Sequence, residues 1–243
     1  MTAHSFDAAA RASPFYTPEH EAFRRTLRRF VAKEIEPFVN EWDEAGAFPR
    51  DLYKKAAAVG YIGLGCPERY GGAECDRFMR IIGMQEIARG GSGGGFRAVM
   101  LNFNDERLFG AAGAIAFARV CLDEAIAYAR ERVSFGKPII QHQVIRHKLV
   151  DMAQRVEASQ AMLELLTWRL EHGENPVAEI CMLKNQASTT LAFCASEAVQ
   201  IFGGAGFMRG AKVERIYREV KVNAIGAGTE EIMKDLASRQ MGL

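Results

Sequence analysis

The run Asn104-Asp105-Glu106-Arg107 sets an amide, two carboxylates and a guanidinium side by side, directly before a long apolar stretch. A carboxylate at a helix N-terminus is held as the anion by the free N–H groups and the helix dipole. Burial against Phe103 and Leu108 would push the Glu106 carboxyl the other way. A carboxylate balanced between these influences suits removal of a moderately acidic C–H proton. The same residues also read as ordinary first-turn acids with Arg107 at the surface, and the local pattern leaves both readings open.

Three further clusters could bind rather than react. Arg132 and Lys137 flank Phe135 in a helix–helix connection that continues to Gln141 and Gln143; they suit a pyrophosphate, or simply cap the carboxyl end of the preceding helix. Gln200 precedes Gly203-Gly204-Ala205-Gly206, where three glycines let the backbone approach a partner closely; a C-cap would need one. Gly226-Ala227-Gly228-Thr229-Glu230-Glu231 is a glycine turn opening a helix. Such an N-terminus suits an anion, although Glu230 and Glu231 already hold the first-turn positions.

The elements that must position these clusters are helices. Thr17-Pro18-Glu19 reads as N-cap, N1 proline and first-turn acid. Phe23, Leu27, Phe30, Val31, Ile35 and Phe38 then recur at three- and four-residue steps, ending near Pro37. Further helices are expected over about Arg50–Val59 and Asp76–Ala88, separated by a Gly-rich loop. Long helices follow over about Glu106–Val133 and Gln143–His172, the latter closed by Gly173. A third starts at Asn175-Pro176 and runs to Phe202. Short helices near Val213–Val220 and Glu230–Arg239 complete the chain. No period-2 strand with flanking hairpin turns stands out, so the expected fold is an all-α helical bundle.

Of the six residues Gly90–Gly95, five are glycine and the sixth is Ser92. Such a run spans about 13–15 Å, enough to join helices packed about 8–10 Å apart. A phosphate-cradling role is disfavoured because no strand precedes it and no G-x-x-x-x-G-K-[ST] pattern follows.

Composition excludes several classes. With 31 basic against 30 acidic side chains and a formal net charge of +1, the chain lacks a nucleic-acid binder's electrostatic footprint. Its five cysteines form no C-x-x-C pair, which fits buried thiols rather than a disulfide framework or a zinc site. None of the five histidines has a glutamate three residues before it, so a di-iron bundle is not expected. No signal-peptide core or membrane-spanning stretch is seen, which makes a cytoplasmic protein the expectation.

Taken in order, FRRTLRRFVAKEIEPFVNEWDEAGAFPRDLYKKAAAVGYIGLGCPERYGG, GFRAVMLNFNDERL, RERVSFGKPIIQHQ, AVQIFGGAGFMRG, IYREVKV and IGAGTEEIM resemble the acyl-CoA dehydrogenase family of flavoproteins. The resemblance covers nearly the whole chain except the first dozen residues and the glycine run. Family members carry a β-domain between two helical portions, and here residues 90–95 stand in its place. The implied organisation is an N-terminal flexible segment (1–14), an N-terminal helical portion (15–89), the junction (90–95) and a C-terminal helical domain (96–243). The abrupt composition of the junction leans toward an engineered deletion.

The resemblance also implies residue roles. One subgroup of the family places its catalytic base on the helix that the N-D-E-R stretch opens, which points to Glu106. Other members place it before a Gly-Thr pair near the carboxyl end, a position occupied here by Ala227, which cannot accept a proton. The implied reaction is α,β-dehydrogenation of an acyl-CoA, with FAD taking the hydride and the Ala227 N–H donating to the thioester oxygen. Asn104 and Arg107 match positions near the substrate. Arg132, Phe135, Gln143, Gln200, Gly203, Gly204, Thr229 and Glu231 match positions that hold FAD, several of them from a neighbouring subunit. A homo-oligomer, dimer or tetramer, is therefore implied, with an electron-transfer flavoprotein as acceptor. An amide is common in the family where Glu231 stands, and an acid there would repel pyrophosphate.

Overall fold

In the computed structural model the described residues are 13–45, 47–91 and 106–243. Helix α1 (Pro18–Glu34) starts as its sequence predicts: the Thr17 side chain accepts from the His20 N–H, and Pro18 needs no partner for its nitrogen. Its apolar face does not continue as one helix to Pro37. The helix ends at Glu34, and a short α2 (Val39–Ala45) follows the turn that Pro37 helps to form. Next come α3 (Asp51–Ala58) and α4 (Arg77–Ala88), the latter capped by Asp76 accepting from Met79 N–H at 2.8 Å.

The remaining helices are α5 (Glu106–Glu131), α6 (Gln143–Glu171), α7 (Val177–Phe202), the single turn α8 (Gly204–Phe207), α9 (Lys212–Ile225) and α10 (Glu230–Met241). One departure from an all-helical reading is a two-residue antiparallel pair, β1 (Val133–Ser134) with β2 (Lys137–Pro138). Two residues are too few to show alternation, so the sequence carries no strand signal there. Helix α9 extends well beyond the expected Val213–Val220 at its carboxyl end.

Helix α5 is the axis of the bundle. Ala111, Ala112, Ala114, Ala116 and Ala118 are buried on it together with Leu108, Ile115 and Leu122. A helix buried on nearly every side needs small residues where neighbours press closest. Helices α4, α6, α7 and α9 pack around it through Met84, Met152, Leu163, Leu183, Leu191 and Ile216. Each fully buried leucine contributes about 1.5–3 kcal/mol relative to exposure.

The N-terminal helices build their own cluster from Leu27, Phe30, Val31, Leu52 and Tyr61. They are tied to the rest by charge. Lys212 of α9 donates to Glu36 at 3.0 Å, Arg218 to Asp43 of α2 at 2.6 Å, and Arg215 to Asn40. The fully buried Glu86 of α4 accepts two hydrogen bonds from Arg28 of α1, at 3.2 and 2.9 Å.

Helices α4 and α5 run parallel, since Arg80 lies over the Phe109 ring and Met84 packs toward Gly113 one turn further along both. The chain must therefore return about 18 Å, the length of α4's twelve residues, between Gly91 and Glu106. That exceeds the short hop expected of the glycine run alone. Gly91 itself is seated against Lys212 and Arg215, whose Nε donates to its carbonyl oxygen at 3.4 Å. Most of the expected junction, and residues 1–12 of the expected flexible segment, lie outside the described residues. Ser13 is anchored, donating to Glu164 of α6 at 2.8 Å.

Candidate functional site

Glu106 is the first residue of α5 and is half-buried, with Leu108 and Phe109 buried behind it. Asn104 lies outside the described residues. Arg107 borders a cavity of about 430 Å³ with Arg77, Leu170, Glu174, Asn175 and Ile180. Burial pushes the Cys181 thiol up, and the nearby Arg107 guanidinium pulls it back. The start of α5 is thus beside the start of α7.

The loop carrying Ala227 is fastened to the same part of α7. Cys181 packs against Met233 and Ala237 of α10. One turn on, Lys184 Nζ donates to the carbonyl oxygens of Ala224 at 2.8 Å and Gly228 at 2.6 Å. Asn185 donates to the Glu230 carbonyl at 2.9 Å and Ser188 to the Asn223 carbonyl at 3.0 Å. Ala227 is held at φ 60° and Gly228 at φ 106°; a Cβ on Gly228 would come within 2.5 Å of the Met233 methyl carbon. Sequence reasoning missed Lys184, Asn185 and Ser188. A lysine in a helix usually signals a solvated face, and backbone carbonyl partners leave no sequence signature.

Thr229 and Glu231 stand at the opening of α10. The Thr229 hydroxyl accepts from the Ile232 N–H at 3.4 Å, so it serves as an N-cap. The Glu231 carboxyl is lowered by its own backbone N–H, then by Thr229 and by the Lys234 and Lys221 charges. Its anion already occupies this helix end, which disfavours a second anion there.

The other predicted binding residues gather at the opposite end of α5. Tyr128 stacks on Phe202 with ring centroids 4.3 Å apart, so the carboxyl ends of α5 and α7 are level. There Arg132 is exposed, and no ion pair holds it among the described residues. Phe135 and Gly136 both have positive φ, at 51° and 77°, the signature of a type I′ hairpin turn. A bulky residue in that conformation is costly, yet the Phe135 ring is 95% exposed. Gln143 begins α6 nearby, exposed and 3.3 Å from the His147 ring.

At the end of α7, Gln200 is exposed and Gly203 turns the chain at φ 58°. Gly206 is required by packing, since a Cβ would approach Phe202 Cβ to 2.8 Å. Gly204 has no such internal reason: a Cβ there would meet nothing within 4 Å. Phe207 beyond it is 83% exposed. A fully exposed ring in a strained turn, an unpaired arginine and open backbone form a surface suited to a flat, anionic ligand.

The predicted residues therefore form two groups, not one. Glu106, Arg107, Ala227, Thr229 and Glu231 lie toward the start of α5 and α7. Arg132, Phe135, Gln143, Gln200, Gly203 and Gly204 lie at the far end of the 26-residue α5, a helix about 39 Å long. Among the described residues no group of three metal-binding side chains occurs, and no helix is long and apolar enough to cross a membrane.

Both groups fall within one of two stretches that match known protein families. The model "Acyl-CoA dehydrogenase, C-terminal domain" matches residues 93–242, and "Acyl-CoA dehydrogenase, N-terminal domain" matches residues 17–105. An acyl-CoA dehydrogenase of Bacillus subtilis is 40% identical over 63% of this chain and 40% of its own length. A probable acyl-CoA dehydrogenase of Escherichia coli K12, YdiO, is 34% identical over 69% of this chain and 44% of its own length. The chain thus spans less than half the length of these curated relatives. A solved structure described as a putative acyl-CoA dehydrogenase from Mycobacterium smegmatis superposes with a TM-score of 0.89 at 24% identity, over 95% of this chain and 99% of that one. That likeness supports the fold.

Proposed function

The chain belongs to the acyl-CoA dehydrogenase family, and from that premise we propose that it is a minimal FAD-dependent acyl-CoA dehydrogenase acting as a homo-oligomer. The observation that carries this reading is the separation of the two residue groups along α5. One flavin ring cannot lie against both Glu106 and Phe135 of a single chain, at opposite ends of an α5 about 39 Å long. A second copy that brings its far end to the first copy's Glu106 end would complete the site. We place the domain boundaries as the sequence suggests, with N- and C-terminal helical portions joined where a β-domain stands in the family.

Within that site Glu106 takes the α-proton of the thioester. The Ala227 N–H donates to the thioester oxygen as negative charge develops there. Arg107 lies one residue on and orients the substrate, together with Asn104. Arg132, Phe135, Gln143, Gln200, Gly203 and Gly204 fit a bound FAD through charge, an exposed ring and open backbone. Thr229 completes the binding set on the other copy, while Glu231 opposes it. When bound, FAD supplies the hydride acceptor for the β-carbon. An electron-transfer flavoprotein is the proposed acceptor of those electrons.

A second reading has its own observation. The Thr229 hydroxyl is spent on capping α10 and the Glu231 carboxylate sits where an anion would bind, which favours a structural oligomeric bundle that holds no flavin. Sedimentation of the protein with and without FAD, alongside flavin fluorescence, separates the cases. Saturable quenching confined to a dimer or tetramer supports the shared site. A monomer that binds FAD equally well, or an oligomer that never binds it, removes it.

A further inference from the structure

The most constrained polar group outside the predicted site is Lys184. Its side chain is buried, at 3% residue exposure, in the middle of an apolar helix. Lysines are almost never buried without partners, because an unpaired ammonium loses its hydration. Two of its partners here are backbone: the Ala224 and Gly228 carbonyls, at 2.8 and 2.6 Å. Hydrogen bonds from a charged donor are shorter and stronger than neutral ones. These two bracket Gly226-Ala227 from both sides.

That bracket encloses the least relaxed stretch of backbone in the loop. Ala227 is a non-glycine residue at φ 60°, followed by Gly228 at φ 106°. Such a conformation persists only where its surroundings over-determine it. The Gly226 N–H is consumed by the Val222 carbonyl at 2.8 Å, closing α9. No described group accepts from the Ala227 N–H. The amide is thus left available between two carbonyls that Lys184 holds. Asn185 and Ser188, on the same turn of α7, fix the carbonyls of Glu230 and Asn223 further out.

We propose that Lys184 is a positioning residue: its clamp on Ala224 and Gly228 holds the Ala227 amide in its left-handed conformation, unpaired and ready for a thioester oxygen. The clamp is a property of the fold; its catalytic consequence rests on the dehydrogenase reading above. Lys184 acts through Ala227 and does not touch substrate. A preorganised donor needs no reorganisation as charge develops, whereas a loop free to relax would pair or misplace the amide.

The test uses the full chain with Lys184→Met and Lys184→Gln. Both side chains are one atom shorter than lysine; methionine keeps the apolar bulk but donates nothing, whereas the glutamine amide keeps two N–H groups. Hydrogen exchange of the segment 222–232 is measured by mass spectrometry, with the segment 110–130 of α5 as an internal control for the fold. FAD-loaded protein is then mixed anaerobically with butyryl-, octanoyl- and palmitoyl-CoA, and both acyl-CoA affinity and the rate of flavin bleaching are read. With the methionine variant we expect exchange in 222–232 to rise about tenfold while the α5 control stays protected. Bleaching should slow by about a hundredfold, the cost of a misplacement of about 1 Å, with acyl-CoA affinity little changed. Glutamine should recover part of both losses, which a merely space-filling role would not produce.

Unchanged exchange in 222–232 of the methionine variant overturns the clamp. If bleaching is also unchanged, the catalytic consequence falls with it. If the wild-type protein never bleaches, the dehydrogenase reading fails by itself and the exchange comparison still decides the clamp. Should the methionine variant not fold, the glutamine variant decides: partial loss of protection supports the clamp, and wild-type protection overturns it.

Discussion

His20 and Asp76, 56 positions apart, cap two helices at once through one contact. The His20 Nε2 lies 3.0 Å from both Asp76 carboxylate oxygens, while its Nδ1 accepts from the Thr17 N–H at 3.0 Å. Asp76 in turn accepts from the Met79 N–H at 2.8 Å. The ring nitrogen that accepts carries no proton, so Nε2 carries it and donates to Asp76. This joins the N-termini of α1 and α4. His20→Ala loses half of the α1 capping box and a buried partner, and should lower stability by about 1–2 kcal/mol. Urea unfolding of His20→Ala, Asp76→Ala and the double variant should show single-variant losses that do not add; additive losses would mean the two caps are independent.

On the proposed reading, Phe135 exchanges stability for binding. At φ 51° and 95% exposed, it contributes little packing and bears the strain of a type I′ turn, where asparagine before glycine is preferred. Phe135→Asn should therefore raise stability by about 0.5–1 kcal/mol. The same change should weaken FAD binding by about three- to tenfold through loss of the ring. Thermal unfolding without flavin and fluorescence titration with it are read side by side. A variant that is more stable and binds FAD as before would detach Phe135 from the flavin.

Among the described residues, Glu231 carries a predicted role that the local electrostatics oppose. Its carboxyl is held low first by its own backbone N–H and then by Thr229. A lowered folded pKa contributes stability above the unfolded glutamate value, about 4.3, and that contribution is lost as pH falls through the lower folded value. Glu231→Gln should flatten the acid limb of the stability profile below about pH 5. It should also tighten FAD binding at low ionic strength, with the gain shrinking as salt screens the exposed charge. Equal affinity of the two proteins at low salt would place the pyrophosphate away from α10.

Helix starts and stops were legible wherever a local signal exists. Thr17-Pro18 opens α1 and Gly173 closes the α6 turn because capping chemistry is written into single residues. A stop near Pro37 was legible, and α1 ends just before it at Glu34; the short α2 was not, because the apolar spacing of Phe30, Val31, Ile35 and Phe38 runs through the turn and reads as one helix. The β1–β2 hairpin was hidden by its length. Residues with family-like spacing were found, but their distribution between two ends of α5 was not, since it depends on α5 and α7 running parallel. Lys184 was invisible for a related reason: what it binds is backbone, brought near by the return of α9 and α10 along α7.

An anaerobic visible spectrum tests the proposed role of Glu106 as the base of a flavin-dependent dehydrogenation. Wild-type protein and Glu106→Gln are loaded with FAD and titrated with butyryl-, octanoyl- and palmitoyl-CoA. The wild-type flavin should bleach with at least one thioester, and the glutamine variant should bind flavin equally but bleach about 10²–10⁴-fold more slowly. Equal bleaching in the two proteins, or no bleaching in the wild type with any thioester, would contradict that role.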